Sequence, residues 1–208
     1  VLDGAVAVFD GGEGVEPQSE TVWRQADKYN VPRIAFVNKM DKTGADFDMC
    51  VKSMEKKLGV KAIPIQWPIG AESEFRGMID IIERKAYMWA EKDESEGMKF
   101  ETSDVPENMK EKIELLRTNL LDHICDGSDD LMEKYLAGED LTIPEIKRGL
   151  RKLVLSSEVF PVVCGSALKN KGLQMVLDAV IDYLPSPVDI EAMKTTEVGT
   201  DKEVLIKA

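Results

Sequence analysis

Along the first sixty residues the apolar positions switch twice between two periods. The run AVAVF (5–9) is continuously apolar, small and β-branched, and it stops at DGGEG, which predicts a short strand buried on both faces. In the following VEPQSETVWRQADKYN, Val22, Trp23, Ala26 and Tyr29 recur at helical spacing. Pro32 interrupts that pattern, RIAFV (33–37) supplies a second buried strand, and DFDMCVKSMEKKLG reads as a second helix that stops at Gly59. The order β-α-β-α predicts an α/β fold in which helices flank a parallel sheet.

From about Lys61 the pattern changes. KAIPIQWPIG, GMIDII and KAYMWAEK are short strand-like pieces broken by prolines and a turn, which predicts an antiparallel element, and in the charged EKDESEGMKFETSDVPE that follows, EKDESEGMKFETSD reads as a solvated, mobile loop. Three helical patterns follow at 107–125, 129–136 and 143–155, with Pro106 and Pro144 near the first turns of two of them. The buried-strand pattern then returns in VFPVVCGS, followed by the helix GLQMVLDAVIDYLPSP, terminated by Pro185 and Pro187. Residues 1–60 and 158–187 are therefore expected to form one parallel α/β unit, split by an inserted α+β subdomain at 61–157. The chain opens almost inside a strand and closes, in TDKEVLIKA, on the first residues of another, so both ends read as interior positions of a longer protein.

Composition narrows the function classes. A 43% hydrophobic content over 208 residues suits a soluble core, and no run approaches the ~18 apolar residues of a membrane helix, so the expectation is an intracellular, cytoplasmic protein with no membrane partner. A formal net charge of -12 argues against broad wrapping of a phosphate backbone. Cys50, Cys125 and Cys164 are widely spaced and lack a CxxC or CxxH companion, which favours buried thiols over zinc or disulfides. His123, in LLDHICD, reads as a helix residue, and Trp23, Trp67 and Trp89 as packing residues.

Candidate chemistry sits where two strands end. VNKMD follows RIAFV and GSALKNKG follows VFPVVC, and in an open parallel sheet ligands bind beyond the carboxyl ends of the strands. Asp41 offers a planar two-oxygen acceptor that suits two parallel N–H donors, such as guanine N1–H and its exocyclic amine; adenine presents an acceptor there. A site built around those donors rejects analogues lacking them by factors on the order of 10⁴, because its carboxylate would be left unpaired. Asn38 can hold the loop and reach a ring nitrogen. The stems of Lys39 and Lys169 can cover the two faces of a base while their ammonium groups stay solvated. The Ala167 backbone N–H can donate to a base carbonyl, and Ser166 can brace Asp41. The competing structural role for Asp41 is a helix N-cap, for which Asp46 is the rival in DKTGADF.

These residues resemble a known family. NKMD has the Asn-Lys-x-Asp form of the GTPase guanine-specificity motif, SAL is similar to the second base-contacting loop of GTPases, and SETVWRQADKYNVPRIAFVNKMDKTGADF, PIQWPIGAESEFRGMIDII and CGSALKNKGLQMVLDAVIDYLPSP resemble bacterial-type translation elongation factor G across essentially the whole chain. The resemblance implies the GTP-binding domain of a ribosome-dependent GTPase that couples hydrolysis to movement of tRNA and mRNA. It implies GTP or GDP as ligand, with the base at Asn38, Lys39, Asp41, Ser166, Ala167 and Leu168. It also implies an insertion facing the ribosomal stalk proteins, a linker and the start of a following β-barrel domain at 188–208, and a monomeric fragment.

The same resemblance defines what the sequence does not supply. No G-x-x-x-x-G-K-[ST] phosphate loop occurs, and the nearest string, GSALKNK, has Asn170 where the second glycine is needed. The family's Asp-x-x-Gly-His element is expected before Val1, and DKTG at 41–44 follows the wrong strand and lacks the histidine. Mg²⁺ is thus expected in the parent protein, its ligands lie outside this chain, and no catalytic or metal-ligating residue is assigned here. The alternatives are a related translational GTPase, such as a release-factor GTPase or a ribosomal protection protein, and a non-catalytic module binding a ribosomal protein through its acidic insertion.

Overall fold

The computed structural model describes residues 2–90, 95–189, 193–196 and 203–206. Strand β1 (Ala5–Asp10), helix α1 (Pro17–Lys28), strand β2 (Arg33–Asn38) and helix α2 (Phe47–Leu58) follow the expected order. Strands β3 (Ala62–Pro64) and β8 (Phe160–Cys164) complete a parallel sheet of order β1-β2-β8-β3. Both faces of β2 are buried, with Ile34, Ala35, Phe36 and Val37 at 3% exposure or less, which is why its sequence shows no alternation. Helix α6 (Leu173–Tyr183) packs on β2, and α5 (Ile143–Leu155) packs on α6.

Local chemistry sets the helix limits. Asp46, and not Asp41, caps α2: its Oδ1 accepts from Met49 N at 2.9 Å. Gly59 ends the same helix in the left-handed conformation, at φ 70°. Helix α5 begins with a capping box in which Thr142 and Glu145 satisfy one another's backbone N–H groups, and Pro144 occupies its first turn. Beneath the sheet, Trp23 meets Phe160 edge-on at 4.9 Å, and the buried Arg33 guanidinium lies 4.4 Å from the Trp23 ring while donating to Trp23 O and Asp27 Oδ1.

The second sheet is antiparallel and holds β4 (Gln66–Ile69), β5 (Gly77–Asp80), β6 (Lys85–Met88) and β7 (Glu101–Asp104), in that order. Helices α4 (Asp129–Leu136) and α5 both pack on α3 (Lys110–Asp126), whose buried Arg117 donates to Ile81 O and Ile82 O just beyond β5. Two features differ from the sequence reading. Ala62–Pro64, expected among the antiparallel pieces, pairs in parallel with β8, because three residues are too few to display either pattern. Glu101–Asp104, expected as solvated loop, is the edge strand β7; all four of its side chains are exposed, so backbone pairing to β6 replaces any apolar signal. Residues 91–94 of that expected loop lie outside the described residues. Beyond α6, β9 (Met193–Thr196) pairs antiparallel with β10 (Glu203–Ile206). The rest of the expected linker and barrel start, at 190–192, 197–202 and 207–208, lies outside the described residues as well. No helix among the described residues is long and apolar enough to cross a membrane.

Candidate functional site

Parallel pairing of β2 with β8 places their carboxyl ends side by side, in the register Val37 to Cys164. The chain leaving β2 therefore meets the chain leaving β8 at once. Gly165 N donates to Val37 O at 3.0 Å and Met40 N to Gly165 O at 3.1 Å, so the two loops are joined through their backbones. Met40 is fully buried beneath the junction, and Lys39 before it lies in the left-handed region at φ 62°.

Asn38 staples the loops together. Its Oδ1 accepts from Ala167 N at 2.8 Å and from Lys39 N at 2.7 Å. Ser166 is fully buried, and its backbone forms a two-way bridge to Lys171, closing residues 166–171 into a tight loop. Within that loop Lys169 N donates to Ser166 Oγ at 3.3 Å.

Asp41 faces this loop, with its side chain only 12% exposed. Burial by itself raises the Asp41 carboxyl, but hydrogen bonds from the Ser166 hydroxyl and its own backbone N–H, together with the Lys169 ammonium, hold it below the usual carboxylate range. The Lys169 Nζ lies 3.3 Å from Asp41 Oδ2. An anion braced on one side and paired on the other with a long, half-exposed lysine can accept paired donors from a ligand once the lysine swings aside.

The sequence reading did not single out Asp10. This residue ends β1, next to β2, and its Oδ2 lies 2.8 Å from Lys39 Nζ and 3.3 Å from Lys42 Nζ, while its Oδ1 accepts from Gly12 N at 2.9 Å. Burial raises the Asp10 carboxyl, and these donors more than offset it, so it lies below the ordinary value. The Asp10 hydrogen bond raises Lys39 in turn. The Lys39 ammonium, on a side chain 55% exposed, is thus tied across the strand ends to Asp10. The signal for Asp10 was the abrupt carboxylate and two glycines after AVAVF.

The structure brings Asn38, Lys39, Asp41, Ser166 and Ala167 to one lip of the sheet, and Leu168, 91% exposed, projects from the tip of the second loop. Among the described residues no group of three or more His, Cys, Asp or Glu is arranged to hold a metal ion, and Asp10 is taken up by two lysines and a backbone N–H. The described residues therefore offer no Mg²⁺ site at this lip. Cys50, Cys125 and Cys164 are free and buried; burial raises all three thiols, Cys50 to about 11.

Comparison with known proteins agrees with this fold. A solved structure from Thermus thermophilus superposes with a TM-score of 0.79 at 27% identity, covering 90% of this chain. The chain spans only 27% of that protein's length. The family model described as the elongation factor Tu GTP binding domain matches residues 1–186. A parallel sheet flanked by helices and interrupted by a second, antiparallel sheet, matched over residues 1–186 by this family model, is thus a GTP-binding domain of the translational GTPase type, and the chain belongs to the elongation factor Tu GTP-binding-domain family.

Proposed function

We propose that Asp41, Asn38, Ser166 and Ala167, flanked by Lys39, Leu168 and Lys169, form the guanine-reading end of a GTP or GDP site, and that the chain is part of an elongation factor G-type GTPase promoting movement of tRNA and mRNA on the ribosome. The observation that carries the base assignment is the Asp41 carboxylate, little exposed, kept anionic and turned toward the Ser166 loop. Its two oxygens match the N1–H and amine of guanine. The Ala167 N–H, now on Asn38 Oδ1, and the Asn38 amide face the same lip and suit the base carbonyl and a ring nitrogen. The choice of elongation factor G over a release-factor GTPase or a ribosomal protection protein rests on the long matching stretches of sequence. Ribosomal stalk proteins as partners, a cytoplasmic location and a monomeric state come with that choice.

On this reading the 208-residue chain does not hydrolyse GTP alone, because phosphoryl transfer needs a phosphate cradle and Mg²⁺ ligands, and its sequence contains no phosphate loop. Titrating GDP, GMP and ADP while following the amide signals of Asn38, Lys39 and Asp41 tests the base site. Shifts with both guanine nucleotides and none with ADP support it, and equal responses to GDP and ADP refute it. Turnover of GTP by the purified chain would refute the inactivity.

A second reading, an interaction module for a ribosomal protein, is favoured by Leu115 and Leu136, 70% and 77% exposed on the insert helices α3 and α4. A response to isolated stalk protein together with silence toward GDP would select it.

A further inference from the structure

The loop that supplies Ser166, Ala167 and Lys169 is held from two sides. On one side stand Asn38 and Asp41. On the other stands the insert, through the connection between β6 and β7. There the Asn170 amide donates to Glu96 O at 3.1 Å and lies 3.2 Å from Met98 Sδ. Gly97 O accepts from Trp89 Nε1 at 2.9 Å and from Gln174 Nε2 at 3.2 Å. Trp89 is buried against Phe100, so this carbonyl is fixed to the insert's own core.

The approach is close enough to need a glycine. A Cβ on Gly97 would lie 2.4 Å from Lys169 O and 2.6 Å from Asn170 O, and Gly97 has φ +81°. Asn170 itself is left-handed, at φ 51°, which an asparagine tolerates better than most residues. The insert therefore touches the backbone of the base loop, not merely its side chains. Just beyond the loop Gly172 sits where a Cβ would meet Met78 Cε of β5 at 2.6 Å.

We infer that the Gly97 segment of the insert and Asn170 form a latch that positions the 166–171 loop, so that movement of the insert changes guanine affinity. Asn170 and Gly97 are positioning residues, acting through Ser166 and Ala167. For its functional consequence the inference rests on the guanine reading above; for its mechanical part it stands on the contacts alone. Because coupling is reciprocal, a base held at the lip should also tighten the insert connection.

The test uses the whole chain and two substitutions. Asn170→Asp keeps size and left-handed tolerance but turns an acceptor toward Glu96 O, and Gly97→Ala intrudes on the loop carbonyls. Gly138→Ala is the control, since Gly138 is also left-handed in the insert but a Cβ there meets nothing within 4 Å. Without nucleotide, the Ala167 and Asn170 amides should exchange about fivefold faster in both variants and unchanged in the control, the loss of roughly one hydrogen bond. With GDP as probe, both variants should need about fivefold more ligand, and GDP should slow exchange at residues 96–98 of the parent chain.

Unchanged exchange of the loop amides in both variants overturns the latch. Faster exchange with an unchanged GDP midpoint overturns its link to affinity. If the parent chain gives no preference for GDP over ADP, the guanine reading falls, and the exchange rates still decide whether the insert holds the loop.

Discussion

Replacing Asn38 with alanine removes a single oxygen that accepts two backbone hydrogen bonds, from Ala167 N at 2.8 Å and Lys39 N at 2.7 Å. Each such bond contributes about 0.5–1.5 kcal/mol net, and because water reaches both donors the lower half of that range applies, giving about 1–2 kcal/mol for the pair. Lys39 adds to this. Its left-handed backbone costs on the order of 1 kcal/mol, and the Asn38 bond to its N–H is what holds it there. For a chain of this size a loss of 1–2 kcal/mol lowers the melting temperature by about 3–6 °C. Urea and thermal unfolding followed by tryptophan fluorescence measure the loss, and exchange of the Ala167 amide reports whether it is local. Asn38→Asp keeps both acceptor positions and should recover most of the stability, but it removes the amide donor and adds an anion beside Asp41, so its response to GDP should be lost. If Asn38→Ala unfolds at the parent midpoint and the Ala167 amide exchanges at the parent rate, the staple is not what joins the two strand ends.

Other expectations follow from the same contacts. Asp41→Asn exchanges an acceptor pair for one acceptor and one donor, so preference should move from guanosine to xanthosine phosphates, read as a reversed order of midpoints in a GDP and XDP titration. Asp80 keeps some exposed surface, yet burial of its carboxyl, enclosed near Glu83, pushes it up to about 6 despite the Glu83 N–H at 2.7 Å. A folded pKa above the unfolded 3.8 favours the native state below pH 4, and that advantage is lost as pH rises through about 6. Asp80→Asn should therefore stabilise the chain by about 1–2 kcal/mol at pH 7.5, less than the roughly 3 kcal/mol of a fully retained shift, and by only about a third as much at pH 4.5; denaturant midpoints at the two values check this. Gly172→Ala, at φ +88° with its Cβ 2.6 Å from Met78 Cε and 2.8 Å from Cys164 O, should cost about 2–3 kcal/mol in urea unfolding, whereas a midpoint within 0.5 kcal/mol of the parent would deny the contact.

Most of the sheet and its helices were legible because their signals are local. Continuous apolar runs gave β1, β2 and β8, although β1, at the sheet edge, is not buried on both faces as expected, with Val8 57% exposed, and helical spacing with prolines and glycines at the ends gave α4 and α5 at their observed limits. The two strand ends met as expected, since parallel neighbours must end at the same edge. What the sequence concealed depends on partners far along the chain. β3 is defined by pairing to β8, and β7 by backbone bonds to β6 beneath wholly exposed side chains. Asp10 became part of the lip only because β1 lies next to β2, which puts its carboxylate in reach of Lys39 and Lys42. The contact of Gly97 with residues 169 and 170 has no sequence signature, because a glycine in a charged loop looks like any other turn.

The pairing of β3 with β8 has a consequence for how the molecule assembles. These strands are adjacent and parallel, so the chain must travel from the end of one back to the start of the other, and residues 65–159, roughly 95 of them, make that single crossover. Closing so long a span costs about 1 kcal/mol more than a crossover of about 30 residues, a small equilibrium penalty but a kinetic delay, because the entropy is lost before any β8 contact forms. Strand β8 is then expected to pair late, with the lip that depends on Ser166 and Ala167 forming after the insert has collapsed and drawn its two ends together.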